Sequence, residues 1–236
     1  MVARAGLKRW LLLPVLVCAL AAAALAGWWW VIHWAPDRAR YPTQGVWLDA
    51  ASGPVEWATL RASGPGGHGA DFVYLTASTG AGDRDPAFAA GFDAARAAGL
   101  QVGAVHVYDL CVPADVQASN FVTTVPRDKH MLPAAIALDI DARRCPDPPG
   151  EASIDSELTT FLNEVERHLG RPVVLMPTAA VEARYHLAAR IDRNVWVIGD
   201  FRPPGYVARP WVLWTATHRL HVAGVDGPVR WVVVQQ

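Results

Sequence analysis

AAIALDID, residues 134–141, is an apolar run of strand character that ends in two carboxylates, Asp139 and Asp141, spaced i, i+2. In a β-strand that spacing points both side chains to one face. Carboxylates at the C-terminal end of a buried strand are where a β/α barrel carries its chemistry. The same residues also read as a strand end running into a solvated loop, with Arg143 and Arg144 as charge partners. Taken alone, the stretch does not choose between the two.

Outward from it, strand and helix patterns alternate. Strands are predicted at Gly45–Asp49, Asp71–Ala77, Val102–Tyr108, Ile136–Asp141, Pro172–Met176, Val195–Phe201, Trp211–Thr215 and Val229–Val234. Helices are predicted at Trp57–Ala62, Ala87–Ala98, Ala114–Thr124, Ser156–Leu169 and Ala179–Ala188, with Gly99 and Gly170 as C-terminal stops. Alternation early and strand-rich sequence late predict an α/β barrel with an irregular final third. The run GPGGHG at 64–69 lacks the Gly-Lys-Ser/Thr ending of a phosphate loop and reads as a surface loop. No H-E-x-x-H, C-x-x-C or G-x-S-x-G motif occurs, and the histidines are scattered, so neither a metal nor a cofactor is expected.

The N-terminus is set apart by composition. Trp10 to Trp34 contains no Asp, Glu, Lys or Arg, and its 25 residues suffice to cross a hydrocarbon core of about 30 Å as a helix. Arg4, Lys8 and Arg9 precede it, which places residues 1–9 in the cytoplasm and the rest of the chain beyond the inner (cytoplasmic) membrane. Trp28, Trp29, Trp30 and Trp34 then fall at the far interface. Ala24-Leu25-Ala26 also reads as a signal-peptidase site, but the apolar run continues through WWWVIHW, which favours an uncleaved signal anchor over residues 10–34. Residues 35–44 (APDRARYPTQ) read as a short polar linker, and 45–236 as the barrel domain.

Net charge is −1 and the chain is 52% hydrophobic, so nothing argues for a nucleic-acid partner. The 11 tryptophans suit a large core, a membrane interface or a sugar-stacking groove. Export would leave Cys111 and Cys145 in an oxidising compartment, where they either form a disulfide or stay as buried thiols.

Several segments, in order, resemble glycoside hydrolase family 25, the lysozyme-type muramidases. They are GVWLDAASGPVEW (45–57), FVYLTASTG (72–80), DPAFAAGFDAARAAGLQVGAVHV (85–107), QASNF (117–121), LDID (138–141), WTA (214–216) and GVDGPVR (224–230). The resemblance implies a flattened barrel of eight strands and about five helices, with its groove at the C-terminal strand ends. It implies cleavage of the β-1,4 bond of peptidoglycan by a substrate-assisted route. The second acid of D-x-E protonates the leaving oxygen, and the first positions the acetamido group that attacks the anomeric carbon. On this sequence those roles fall on Asp141 and Asp139.

The departures from the family pattern cluster at the acids. The first-strand aspartate aligns with Trp47, the general-acid glutamate with the shorter Asp141, and the last-strand aspartate with Arg230. A displacement on the order of 1 Å can cost about 100-fold in positioned catalysis. Asp49 and Asp200 are candidate replacement carboxylates, and His106, Trp47 and Trp214 are further candidates for contact with the sugar. Two functions follow: a membrane-tethered muramidase acting on peptidoglycan, or a pseudoenzyme that binds glycan, or another envelope component, without cutting.

Overall fold

The computed structural model describes residues 4–235, with side chains from residue 13 onward. The side chains of Arg4, Lys8 and Arg9, on which the expected orientation rests, lie outside that range. The chain opens with a long helix, α1 (Arg4–His33), whose Leu13–His33 portion has a mean hydropathy of 2.2 and no residue buried inside the protein.

Eight strands then close into a barrel: β1 (Gln44–Leu48), β2 (Phe72–Thr79), β4 (Gln101–Tyr108), β5 (Ala135–Leu138), β6 (Val174–Pro177), β7 (Asn194–Ile198), β8 (Leu213–Leu220) and β9 (Val229–Val234). A two-residue strand, β3 (Asp83–Arg84), hairpins onto the end of β2. Neighbours from β1 through β8 run parallel, β9 is antiparallel between β8 and β1, and the β1–β2 pairing closes the ring. This is the eight-stranded α/β barrel that the sequence pattern and the resemblance imply.

Strand alternation separates two cores. Phe72, Tyr74, Val105, Ala135, Met176, Trp196 and Val232 fill the barrel interior. Val73, Leu75, Ala104, Ile136, Leu138, Leu175 and Val197 face outward against the helices. Two glycines make room for the interior aromatics. A Cβ on Gly103 would lie 2.3 Å from the Tyr74 ring, and one on Gly45 would lie 2.5 Å from that of Phe72. Such distances exclude any larger residue without displacing the ring.

Outside the ring lie α2 (Trp57–Ala62), α3 (Phe88–Ala97), α4 (Ala114–Thr124), α5 (Glu151–Leu169), α6 (Ala179–Tyr185) and α7 (Leu187–Arg190). α5 buries Ile154, Leu158, Phe161, Leu162, Val165 and Leu169, the i, i+4, i+7, i+8 stripe of a helix covering a sheet. Its left-handed Gly170 ends it as expected. No helix follows β7 or β8. Their outer wall is covered instead by residues 35–44, whose composition reads as a polar linker. Tyr41 is buried against Trp214 and Trp211, the Gln44 amide donates to the carbonyls of Pro36 and Tyr41, and Trp231 Nε1 donates to Gln44 Oε1. Arg38 pairs with Asp71. The linker is a strap that completes the outer layer.

Cys111 and Cys145 are bridged, joining the loop after β4 to the loop after β5.

Candidate active site

At the C-terminal ends of the parallel strands lies a cavity of about 600 Å³. Its wall takes Trp47 from β1 and Asp49 just after it, Thr76 and Thr79 from β2, Asp83 from β3 and Val107 from β4. From further round come Asp139, Thr178, Ile198, His218 and Arg230, with Arg144 at the rim. A register shift between Thr76 and Ser78 sets the β2 contribution. It turns Ser78 outward, where its hydroxyl meets His106 Nδ1 at 2.8 Å, and leaves Thr79 facing the cavity. The interior below is plugged by aromatics: Trp47 meets Trp196 edge-on at 5.8 Å, and Tyr74 packs on Trp196 at 4.8 Å.

The two acids of the LDID stretch part company. β5 ends at Leu138, three residues earlier than strand alternation would need to carry both carboxylates inward. Asp139 keeps the interior parity of Ala135 and Ala137 and lines the cavity, its Oδ1 accepting from Thr178 Oγ1 at 3.1 Å. Asp141 starts a turn instead. Its Oδ1 accepts from the Arg143 backbone N–H at 2.9 Å, and its backbone carbonyl accepts from Arg144 and Cys145. This is the local bonding through which aspartate favours turns over strands. Arg144 Nε lies 3.2 Å from Asp141 Oδ2, and Arg143 Nε 3.6 Å from Oδ1. The Arg143 backbone N–H, aided by both guanidinium groups, holds the Asp141 carboxyl below the usual carboxylate range. Asp141 does not line the cavity.

The other two departures form one unit. Trp47 and Arg230 are cross-strand partners on β1 and β9. The Arg230 guanidinium lies 4.2 Å from the Trp47 ring centroid, and its Nη2 donates to Asp49 Oδ2 at 2.8 Å. Such a cation–π contact contributes roughly 0.5–2 kcal/mol. Trp47 therefore stays in the wall, covered on one face by Arg230 and edge-on to Trp196, and the space above Asp139 is open. Asp49 is at the cavity but committed: Oδ2 to Arg230, Oδ1 to the Ala51 N–H as the cap of a short 3-10 turn.

The remaining candidates are placed elsewhere. Asp200 is held by His218 Nδ1 at 3.0 Å and Arg219 Nη1 at 2.9 Å, and only His218 of the three reaches the cavity. His106 is on the outer face of β4, fully buried beneath α4 and α5 and stacked on Phe161 at 5.0 Å. The Gln117 amide donates to the Asp109 and Val112 carbonyls, so its Oε1 faces His106 Nε2, which carries the proton. Burial pushes His106 down to about 4, against a smaller upward pull from Gln117, so the ring is neutral. Trp214 also faces outward, against Tyr41, with its Nε1 donating to the Gly199 carbonyl. Neither His106 nor Trp214 lines the cavity, because each sits one residue out of phase with the interior positions of its strand. Thr178, Asp83, Asp85 and Arg84, none of them a site candidate from sequence, do line it, as does Arg144, which the sequence offers only as a charge partner of the LDID acids. Thr178 had one visible signal, its place directly after a buried strand and before a helix. Among the described residues no group of His, Cys, Asp or Glu is gathered to hold a metal ion.

Residues 49–225 match the family described as Glycosyl hydrolases family 25. Over 196 residues the chain is 26% identical to the uncharacterised protein YegX of Escherichia coli K12, covering 81% of this chain and 69% of that one. A family 25 glycosyl hydrolase from Bacillus anthracis superposes with a TM-score of 0.75 at 24% identity, over 86% of this chain and 93% of that one. A bacterial lysozyme from Streptomyces coelicolor superposes with a TM-score of 0.71 at 22% identity, over 82% and 92%. At these identities the two structures speak to the fold alone.

Proposed function

This chain belongs to glycosyl hydrolase family 25, and from that premise we propose that it is a membrane-tethered envelope protein whose cavity holds a peptidoglycan glycan strand around Asp139 without cleaving it by the family's acid. The observation that carries this reading is the state of Asp141. A general acid must be protonated at working pH and within reach of the leaving oxygen. Asp141 is half-buried in its turn, held in its charged form by Arg143 and Arg144, and outside the cavity. Asp49 and Asp200 are each bound to arginine, so neither takes its place.

Recognition is better supported than turnover. Among the described residues Asp139 makes no ion pair, and with Thr178 as its neighbour its carboxylate can accept a hydrogen bond from an acetamido N–H. The cavity combines hydroxyls, carboxylates and cations over an aromatic floor, a lining suited to sugar hydroxyls and amides. One observation favours the alternative, a working hydrolase. The Asp83 carboxylate reaches the same cavity from a different element and carries no ion pair among the described residues. In that reading Asp83 supplies the proton and Asp139 positions the acetamido group.

We place α1 across the inner membrane as an uncleaved anchor, with residues 1–9 cytoplasmic and the barrel outside. Its length and apolarity support this, as do Trp28, Trp29 and Trp30, which are exposed in the protein where a membrane interface would receive them.

Capture tests the reading. Full chain in mild detergent is expected to sediment with insoluble peptidoglycan. Asp139→Asn is expected to bind about tenfold or more weakly, since a charge-assisted hydrogen bond contributes about 1.5–3 kcal/mol. Failure of the unaltered protein to sediment would sink the proposal.

A further inference from the structure

The helix joins the barrel directly. Trp30 stacks on Phe201 at 5.5 Å, and Trp34 meets the same ring edge-on at 5.1 Å. The Ile32 carbonyl accepts from the His221 N–H at 2.9 Å, so the last turn of the helix is hydrogen-bonded to the end of β8. Phe201 has φ 68°, a left-handed conformation that is unfavourable for a residue with a side chain. The clamp between the two tryptophans is what that conformation presents. Beyond it the strap continues without a free segment, with Tyr41 and Gln44 buried in the outer layer.

Two consequences follow for the cavity. His218, on β8 and three residues before His221, lines it, so the anchor joins the barrel close to the cavity's own rim. A domain of about 190 residues is about 40 Å across, so with no spacer the cavity stays within about 40 Å of the bilayer at any tilt. It cannot follow a polymer held further out.

Building on the glycan-holding reading above, we infer that the occupant is glycan itself attached to the membrane: a strand whose end carries a lipid, rather than strands of a detached wall. Direct attachment raises the effective concentration of such a strand at the cavity, and a long flexible tether dilutes it.

The full chain in lipid nanodiscs, with Cys18→Ala and a benzophenone on Ala51→Cys at the cavity wall, provides the test. The probe is an uncrosslinked glycan strand ending in polyprenyl diphosphate in the same discs, compared with the same strand delipidated in solution. Photo-crosslinking is expected to favour the lipid-linked strand at least tenfold. Phe201→Gly, combined with a Gly/Ser insert of about 30 residues between His33 and Trp34, is expected to cut that advantage severalfold. Crosslinking to the delipidated strand should be unchanged, which also shows that the barrel is intact. Equal crosslinking of both strands, or an advantage untouched by the insert, overturns this inference alone. Crosslinking of neither strand overturns the glycan reading and this inference with it.

Discussion

Replacing Cys111 and Cys145 together by serine is expected to lower the unfolding free energy by about 4 kcal/mol, the chain-entropy value for a closed loop of this size. The bridge spans 34 residues and joins two loops at the cavity end of the barrel. For a domain of this length the loss corresponds to a fall in Tm on the order of 10 °C. The consequence reaches the site. Cys145 donates its backbone N–H to the Asp141 carbonyl, and Arg144 between them lines the cavity. Without the bridge the turn that fixes Arg144 and Asp141 loses its covalent tie. Denaturant melts of the unaltered chain, with and without dithiothreitol, and of the double variant check the value. A difference under 1 kcal/mol would show that the outer layer alone holds these loops.

Acidification is the second large effect. His106 is fully buried, and burial pushes it from 6.5 down to about 4 in the folded state. The unfolded chain therefore binds a proton more readily than the folded one. Stability is complete above pH 6.5 and falls as the pH drops from 6.5 toward 4, by on the order of 3 kcal/mol in total. The carboxyls of Asp128 and Asp141, both held below 3.8, contribute stability present above that value and lost only at lower pH. The two windows are thus separate. Unfolding free energies measured between pH 7 and pH 4 should decline for the unaltered protein and be nearly flat in His106→Gln, whatever that variant's absolute stability. An equal slope in both would assign the acid lability to another group.

Much of the barrel was legible because each element carries its own period. The strand at Val229–Val234 and the helices at Trp57–Ala62 and Ala114–Thr124 match the expected bounds. α5 starts five residues before the expected Ser156, because Gly150 begins it without a side-chain cap. β8 runs on to Leu220 through two irregularities in its pairing with β9, which no alternation pattern encodes. The strap was hidden for a different reason. Polar composition reads as solvent-facing, yet Arg38, Gln44 and Tyr41 act through long-range partners that sequence spacing does not reveal.

The cavity lies at the strand end that carries Asp139, but its lining departs from the candidates that the sequence offers. Asp139 and Asp141 have the same parity only while the strand lasts, and it stops at Leu138. His106 stands one residue from the interior positions of β4, and a one-residue shift moves a side chain through the wall. Trp47 and Arg230 each looked like the loss of a carboxylate. Only the pairing of β1 with β9 shows that they stack on each other and hold Asp49 between them and the 3-10 turn.

The central claim is that the cavity holds glycan while Asp141, pinned as a carboxylate, leaves it uncut. Release of new reducing ends from purified peptidoglycan, measured for the full chain and for Asp139→Asn under conditions where the full chain binds, tests it most directly. The account predicts the same background signal from both. Release by the unaltered chain that Asp139→Asn abolishes would contradict it and establish a working hydrolase.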